Sequence, residues 1–185
     1  NQSRLQKLGC ICYCLTGNHG KPVDELEQYD LYQDSIVNGD VWVNLKYPNI
    51  RFLQRFGEYE IDGMSILAID GAYSVDKARR LATGAPWFER EELSDIEMKA
   101  CLALCQDKHY TFVLTHTAPV EWEPIDLFLP CTDQSTVSKR MEFFLSTVAH
   151  SITWDAWLFG HYHDTRLIRP HVMMLYDDSI DAREV

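Results

Sequence analysis

The chain has 185 residues, of which 46% are hydrophobic and 24% are charged, and its formal net charge is −11. These values predict one compact domain over residues 1–185, and they exclude a broad electrostatic attraction to nucleic acid or to an anionic membrane. No stretch approaches the roughly 20 apolar residues that cross a bilayer, and the first residues lack the apolar core of a signal peptide, so we predict a soluble, cytoplasmic protein.

The first half of the chain predicts strands that alternate with helices. CICYCLTG reads as a buried strand that runs into a glycine-flanked loop, and KPVDELEQY predicts a short helix. Two strands flank Asp62–Gly63, a dipeptide that is preferred in tight hairpins. Ser74 as N-cap and Gly84 as stop delimit the next helix, and Ser94 with Glu97 has the capping-box spacing at the start of another.

The second half continues this alternation. YTFVLTHTAP predicts an apolar strand with a polar tip, STVSKRMEFFLSTVAHSI an amphipathic helix, and AWLFGHYH a further apolar strand. TRLIRP and HVMMLYD predict the last strands. Strands alternating with helices, together with a hairpin, indicate a layered α/β domain.

Six cysteines raise the question of disulfides or a metal site. Cys10, Cys12 and Cys14 alternate, so in a strand they share one face, whereas Cys101 and Cys105 are four residues apart in a helical pattern. The chain is large and apolar enough to fold without disulfides, so we expect buried, reduced thiols. A zinc or redox site at Cys-x-Cys-x-Cys stays open as the alternative.

Three apolar strands end in polar residues, at positions 17–19, 115–116 and 160–163. Ligand sites in α/β folds collect at the carboxyl ends of strands, so these residues are expected to converge. Gly160 would allow the chain to turn at its strand end. In an extended chain His161 and His163 point to the same side, roughly 6.5 to 7 Å apart, and could reach one metal or two neighbouring metals. Such a pair is also typical of hydrogen-bonding histidines at a strand end.

The order of these motifs resembles the calcineurin-like metallophosphoesterases. GNH follows one strand, THTAP a second and GHYH a third, and GAYSVDKARR, FLPCTDQSTVSK and LFGHYHDTRLIRP look like a bacterial or phage metallophosphatase subgroup of that superfamily. The similarity extends over essentially the whole chain. It implies a layered α/β fold, a β-sandwich flanked by helices, and a metal-dependent hydrolase that cleaves a phosphomonoester or phosphodiester with metal-activated water.

The resemblance also implies roles for individual residues. Asn18, His116 and His161 would ligate one metal and His163 the other, while His19 would be the general acid or transition-state stabiliser near the leaving group. Nitrogen and oxygen ligands suit manganese, iron, zinc, nickel or cobalt, and the sequence does not choose among them.

The start of the chain departs from the family pattern. The family has Asp-x-His and Gly-Asp blocks before Gly-Asn-His, but only 16 residues precede Gly17 here, so the domain lacks the first βαβ portion. Counting the remaining ligands, we expect at most one tightly bound metal, through Asn18, His116 and His161. Two explanations stay open: the chain is a fragment of a longer protein, or it is a natural truncation that has lost most catalysis.

Substrate contacts are predicted from residue chemistry. Arg79 and Arg80 could recognise phosphate, since a guanidinium matches its geometry, or they could lie on a solvated helix face. Tyr162, between two ligands, is expected to border the substrate. The acidic net charge favours a phosphorylated small molecule or nucleotide over long nucleic acid.

Two other functions stay open. One is a catalytically weak or inactive domain of the same fold that serves binding or assembly, and the other is a mononuclear zinc site with a structural role. Loss of the first strands would leave a sheet edge unpaired. An unpaired edge predicts a homo-oligomer, or docking of a missing N-terminal segment.

Overall fold

A computed structural model describes residue 5, residues 7–130 and residues 132–183. Within these residues, two mixed sheets and three α-helices form the framework, so the expected α/β class is confirmed. The strands are β1 (Cys12–Cys14), β2 (Asp30–Asp34), β3 (Gly39–Val43), β4 (Ile50–Leu53), β5 (Phe56–Ile61), β6 (Met64–Ile69), β7 (His109–Thr115), β8 (Thr153–Phe159), β9 (Arg166–Arg169) and β10 (Val172–Met174). The helices are α1 (Lys77–Thr83), α2 (Asp95–Cys105) and α3 (Arg140–Ser151). None of the helices in the described part of the chain has both the length and the hydropathy to span a bilayer.

Each sheet combines parallel and antiparallel strands. The smaller one has the order β1-β4-β3-β2, with β1 parallel to β4 and the other pairs antiparallel. The larger one has the order β5-β6-β7-β8-β10-β9. Its four inner strands are parallel, and the outer strands β5 and β9 are antiparallel to their neighbours. The parallel inner strands all point their carboxyl ends toward one edge of the molecule.

The two sheets share a buried apolar cluster, which places them face to face. Val41 and Leu53 of the smaller sheet pack in one cluster with Ile66, Phe112 and Ala156 of the larger sheet. Side chains in a strand alternate between faces, so each sheet contributes every second residue to this layer. The arrangement is a sandwich of two sheets.

The other face of the larger sheet is covered by α2 and α3. Its cluster includes Cys101 from α2, Leu145 from α3 and Val113 and Trp157 from the sheet. Trp157 meets Trp122 edge to face, with ring centroids 5.2 Å apart. Aromatic rings in this geometry gain roughly 0.5–1.5 kcal/mol beyond their buried area, so this contact holds the loop between β7 and α3, which contains Trp122, against the sheet.

Several local predictions are confirmed. Asp62 and Gly63 both have positive φ, 52° and 78°, as a two-residue hairpin turn between β5 and β6 requires. Ser94 and Glu97 form the capping box of α2. Gly84 ends α1 in the left-handed conformation, with φ 69°.

Three helix predictions are wrong in extent. KPVDELEQY forms only a short 3₁₀ turn, Val23–Glu25. The N-cap of α1 is Asp76, because the Ser74 hydroxyl accepts a hydrogen bond from Asn18 instead. The third helix starts at Arg140, and the residues before it form a separate 3₁₀ turn that is capped by Asp133.

The burial prediction is confirmed for the two cysteines of α2 and wrong for those in and just before β1, while Cys131 lies outside the described residues. Cys101 and Cys105 are buried, but Cys10 and Cys12 are exposed and Cys14 is half-buried. The reason is the position of β1, which pairs only with β4 among the described residues and so lies at the edge of the smaller sheet. Its alternate residues pack inward while the cysteines face outward.

Candidate functional site

The ends of β1, β7 and β8 bring five of the sequence-predicted residues together. We call Asn18, His19, His116, His161 and His163 the histidine cluster. The ring centroids of His116 and His161 are 5.3 Å apart, and those of His19 and His163 are 6.5 Å apart. Asn18 links to this group through a 3.0 Å contact between its Oδ1 and Nε2 of His116. Three segments far apart in the chain therefore supply one group of nitrogen and oxygen donors.

Asn18 is held at both ends of its amide. Its side chain is buried, with 3% of the residue exposed. Nδ2 donates to the Ser74 hydroxyl across 2.9 Å, and Oδ1 accepts from Nε2 of His116. Because an amide oxygen can only accept, Nε2 carries the proton of the neutral His116 ring in this arrangement.

Gly17 makes room for the His116 ring. A Cβ at this position would lie 2.6 Å from Cε1 and 2.9 Å from Nε2 of His116. Those distances are shorter than any ordinary carbon contact, so a side chain at position 17 would displace the ring. The glycine of GNH is thus required by the close approach of a site residue.

The segment after β8 differs from its predicted geometry. His161 and His163 have left-handed φ values, 71° and 57°, whereas Gly160 does not have positive φ. The turn therefore lies at the histidines, and the extended-chain reason for placing both on one side is wrong. Left-handed backbone at a non-glycine residue costs of order 1–3 kcal/mol and is common where a site imposes the conformation.

Burial keeps two of the histidines neutral. It lowers the pKa of His116 to about 4, and burial together with neighbouring His116 lowers the pKa of His161 to about 3. Both pKa values lie well below the usual value of about 6.5. At neutral pH these imidazoles carry no charge, which is the protonation state that a metal ligand needs.

His19 is held by a neighbouring arginine. Arg80 donates from Nη2 to Nδ1 of His19 across 2.8 Å and from Nε to Asp76 across 2.6 Å. A guanidinium can only donate, so the proton of neutral His19 lies on Nε2. Burial and the Arg80 charge also lower the pKa of His19. Arg80 therefore contacts the cluster, with its side chain 13% exposed, and Arg79 is the more exposed of the pair.

His163 lies on the open side of the cluster. It is exposed, and it stacks on Tyr176 with ring centroids 5.0 Å apart. The Tyr176 contact was missed by sequence reasoning, because nothing in the local pattern of HVMMLYD points to the loop after β8.

A cavity of about 700 Å³ opens beside the histidine cluster. It lies between the segment after β6 and the long loop that joins β7 to α3. Arg79, Tyr162 and four members of the cluster, all except His116, line it, and the rest of its wall combines apolar and polar side chains. The apolar residues of the wall are Tyr73, Val75, Ala78, Leu127, Phe128, Leu129 and Val137. Cavities that bind small molecules usually measure about 300–1,000 Å³, so this one has the size of a ligand site.

The far wall of the cavity contains a second polar group, the carboxylate cluster of Glu123, Lys139 and Glu142. Lys139 Nζ lies 2.6 Å from Glu123 Oε1. Glu142 is 4% exposed, and burial raises its pKa to about 7. This cluster was not predicted from the sequence, where the available signal was a glutamate on the apolar face of an amphipathic helix.

Hydroxyl groups join the carboxylate cluster to the segment of His161 and His163. Tyr162 Oη lies 3.3 Å from Glu123 Oε1 and 3.1 Å from Thr117 Oγ1, which lies 3.1 Å from Glu142 Oε1. The Thr117 hydroxyl donates to Glu142 Oε1 and the Tyr162 hydroxyl donates to Glu123 Oε1, so the two hydroxyls bridge the two carboxyl groups.

The donor set fits one divalent transition metal in part. Asn18 Oδ1 and His116 Nε2 are 3.0 Å apart, about the separation of neighbouring ligands in an octahedral shell with bonds of about 2.1 Å. Among the described residues, however, no three His, Cys, Asp or Glu side chains form a group that could hold a metal ion. The amide oxygen of Asn18 is therefore an essential member of any such site.

No protein-family model matches the chain, and no curated protein matches it either. The functional conclusion therefore depends on the chemistry of the residues themselves.

Proposed function

We propose that this chain is a metal-dependent phosphoesterase of the calcineurin-like type, a hydrolase of phosphomonoesters or phosphodiesters. One observation carries the proposal: an amide and four imidazoles from three separate strand ends meet beside a cavity of about 700 Å³. The motif order GNH, THTAP, GHYH supports it, because it is the order in which that family supplies its ligands. The proposed domain spans residues 1–185.

Asn18, His116 and His161 would hold the metal, with His163 beside them. A bound manganese, iron, zinc, nickel or cobalt ion would supply Lewis acidity and an activated water. His116 and His161 are already neutral at pH 7, so they need no proton loss to coordinate through a free lone pair. His116 can coordinate through Nε2 only if its proton moves to Nδ1, since Nε2 donates to Asn18 in this structure.

His19 would act on the substrate from the cavity side. Arg80 keeps the proton of His19 on Nε2, and a lowered pKa keeps the ring neutral at pH 7. A neutral ring with a proton on Nε2 can donate a hydrogen bond to a phosphoryl or leaving-group oxygen. Of the two roles implied by the resemblance, transition-state stabilisation fits this state best.

The substrate would be a phosphorylated small molecule or a nucleotide. The cavity is of small-molecule size, and its walls carry Arg79 and Tyr162, two of the three residues expected to contact substrate. Arg80, the third, holds His19 and would act on the substrate through that ring. The net charge of −11 disfavours long nucleic acid.

A second candidate is a weakly active or inactive domain of the same fold that serves binding or assembly. Two observations favour it. In the described residues, no carboxylate joins the histidines in a group that could hold a metal, and β1 pairs with β4 alone. A free strand edge accepts another strand readily, so a homo-oligomer or docking of a further segment belongs to this proposal.

Metal analysis and hydrolysis of bis-p-nitrophenyl phosphate with added Mn²⁺ test both candidates. We expect at most one tightly bound metal per chain, with metal and activity both lost in His116→Ala. The matched control is His109→Ala, which changes an exposed histidine at the start of β7. Metal binding without hydrolysis would favour the second candidate. If the wild type binds no metal and hydrolyses no more substrate than His116→Ala, the first candidate is overturned.

A further inference from the structure

The orientation of the Asn18 amide decides whether this residue can be a ligand. A carboxamide has nearly the same shape in its two flipped positions, but only its oxygen can bind a cation. If Nδ2 faced His116 instead, the site would present two N–H groups to the metal. Some neighbouring group must therefore select one orientation.

A hydrogen-bonded chain behind Asn18 runs to a buried carboxylate. Asn18 Nδ2 donates to Ser74 Oγ across 2.9 Å, and the Ser74 backbone N–H donates to Glu91 Oε1 across 3.0 Å. Ser74 is 1% exposed and Glu91 is 4% exposed. Glu91 Oε2 has no hydrogen-bond partner among the described residues, and the ion pairs found there do not include Glu91.

The hydroxyl of Ser74 does not choose the orientation by itself. It can accept from Nδ2, or it can donate to Oδ1 of a flipped amide. The carboxylate of Glu91, bonded to the backbone of the same serine, breaks this symmetry because its charge attracts the donor end of each dipole in the chain. Nδ2–H then faces Ser74, and Oδ1 faces His116.

We propose that Glu91 and Ser74 are positioning residues that hold Oδ1 of Asn18 toward the metal position. This inference depends on the proposed function, since it assigns the outer support of the same site. It also gives a role to a buried carboxylate that would otherwise be costly, because a buried acid without a cation is normally destabilising. Outer-shell partners of this kind typically contribute about 10- to 100-fold to metal affinity.

The test measures the affinity of the full chain for Zn²⁺ by competition with a chromophoric chelator. Ser74→Ala and Glu91→Gln are each expected to weaken Zn²⁺ binding about 10- to 100-fold. The same Ser74→Ala change in an Asn18→Asp background is expected to weaken it less than about threefold, because a carboxylate presents an oxygen in either orientation. Ser146→Ala, which removes another buried hydroxyl, is the control and should leave the affinity unchanged.

If Ser74→Ala weakens Zn²⁺ binding equally in the wild-type and Asn18→Asp chains, the effect is a general structural one and the inference is overturned. Thermal unfolding in EDTA checks that each variant is folded. If Ser74→Ala is not folded, Ser74→Cys is used in its place. Nitrogen NMR of metal-free His116 provides a second readout. We expect the proton on Nε2 in the wild type and a mixture of tautomers in Glu91→Gln.

The two proposals fail in different ways. A wild-type chain that binds no Zn²⁺ would overturn the metal site, and the His116 tautomer would then decide the positioning role alone. A wild-type chain that binds Zn²⁺, with no change in affinity or tautomer in Ser74→Ala and Glu91→Gln, would overturn only the positioning role.

Discussion

The histidine cluster and the carboxylate cluster face the same cavity, and burial acts on them with opposite results. It lowers the pKa of His116 to about 4 and of His161 to about 3, and it raises the pKa of Glu142 to about 7. In both cases burial favours the uncharged form. A neutral imidazole has a lone pair available for a cation, whereas a protonated carboxyl group is a poor ligand, so burial favours metal binding at the histidine cluster and opposes it at Glu142.

Tyr162 connects the two clusters. Its backbone lies between His161 and His163, and its hydroxyl contacts Thr117 and Glu123. Substitutions in either cluster, or in this link, therefore test whether the two walls behave independently.

Gly17→Ala is expected to have the largest effect on the histidine cluster. Its Cβ would lie 2.6 Å from the His116 ring, and displacing that ligand should reduce Zn²⁺ affinity by at least about 100-fold, with overpacking costing about 1–3 kcal/mol of stability. Gly20→Ala is the matched control, because the nearest atom to its Cβ is 3.9 Å away. Chelator competition and thermal unfolding measure both effects. A Gly17→Ala protein that binds like wild type would contradict the packing of His116 against this glycine.

His161→Ala and His163→Ala separate the enclosed and open sides of the histidine cluster. His161 has the more strongly lowered pKa and contacts the His116 ring, while His163 is exposed. We expect a loss of Zn²⁺ affinity of about 100-fold for His161→Ala and of less than about 10-fold for His163→Ala. Isothermal titration with Zn²⁺ measures the two constants, and equal losses would show that the cluster has no such division.

Glu142→Gln should change how stability depends on pH. The folded pKa of Glu142, about 7, lies above the value of about 4.3 for an unfolded glutamate, so its contribution to stability is present below pH 4.3 and is lost as the pH rises through 7. Between pH 5 and pH 8 the free energy of unfolding should therefore fall less in Glu142→Gln than in the wild type, by about 2–4 kcal/mol. The contribution of His116 to stability has the opposite pH dependence. Because its pKa is lowered in the folded protein, stability falls as the pH decreases from about 6.5 toward 4.

Urea unfolding at pH 5, 6.5 and 8 measures this difference for Glu142. The control is Glu121→Gln, since hydrogen bonding to Ser146 lowers the pKa of the exposed Glu121 and gives its contribution the other sign. Parallel pH profiles for Glu142→Gln and wild type would mean that Glu142 is ionised in the folded protein at neutral pH.

Tyr162→Phe should have the smallest effect. It removes the hydroxyl that joins Glu123 to Thr117 and keeps the ring, so we expect a loss of about 1 kcal/mol in the free energy of unfolding. Zn²⁺ affinity should stay within about twofold of wild type if the two walls are independent. A larger change in affinity would show that the carboxylate cluster supports the histidine cluster through this tyrosine.

Local chemistry explains which parts of the fold were predicted correctly. The hairpin at Asp62–Gly63 and the capping box at Ser94 depend on residues within a few positions of each other, and both were read from the sequence. The exposure of Cys12 was not, because an apolar run looks the same at a sheet edge as at its centre. The sequence also placed the turn at Gly160 instead of His161, because glycine adopts the left-handed conformation most readily.

The residues of the candidate site also fall into two groups, those that a local sequence pattern reveals and those that it does not. Its motif residues could be recognised because they follow apolar strands in a particular order. The roles of Ser74 and Glu91 beside Asn18 could not be recognised, because each acts through contacts with residues distant in the chain. Asn18 and Ser74 are 56 positions apart in the chain, so no local pattern connects them.

The sequence by itself determined the α/β class, most element positions and the set of donor residues, because these depend on periodicity, turn chemistry and side-chain type. Only the tertiary structure decided which donors are neutral, how Asn18 is oriented and which tautomer His19 adopts. Those properties arise from burial and from hydrogen bonds between separate strand ends. They exist only once β1, β7 and β8 have brought their carboxyl ends to one side of the cavity.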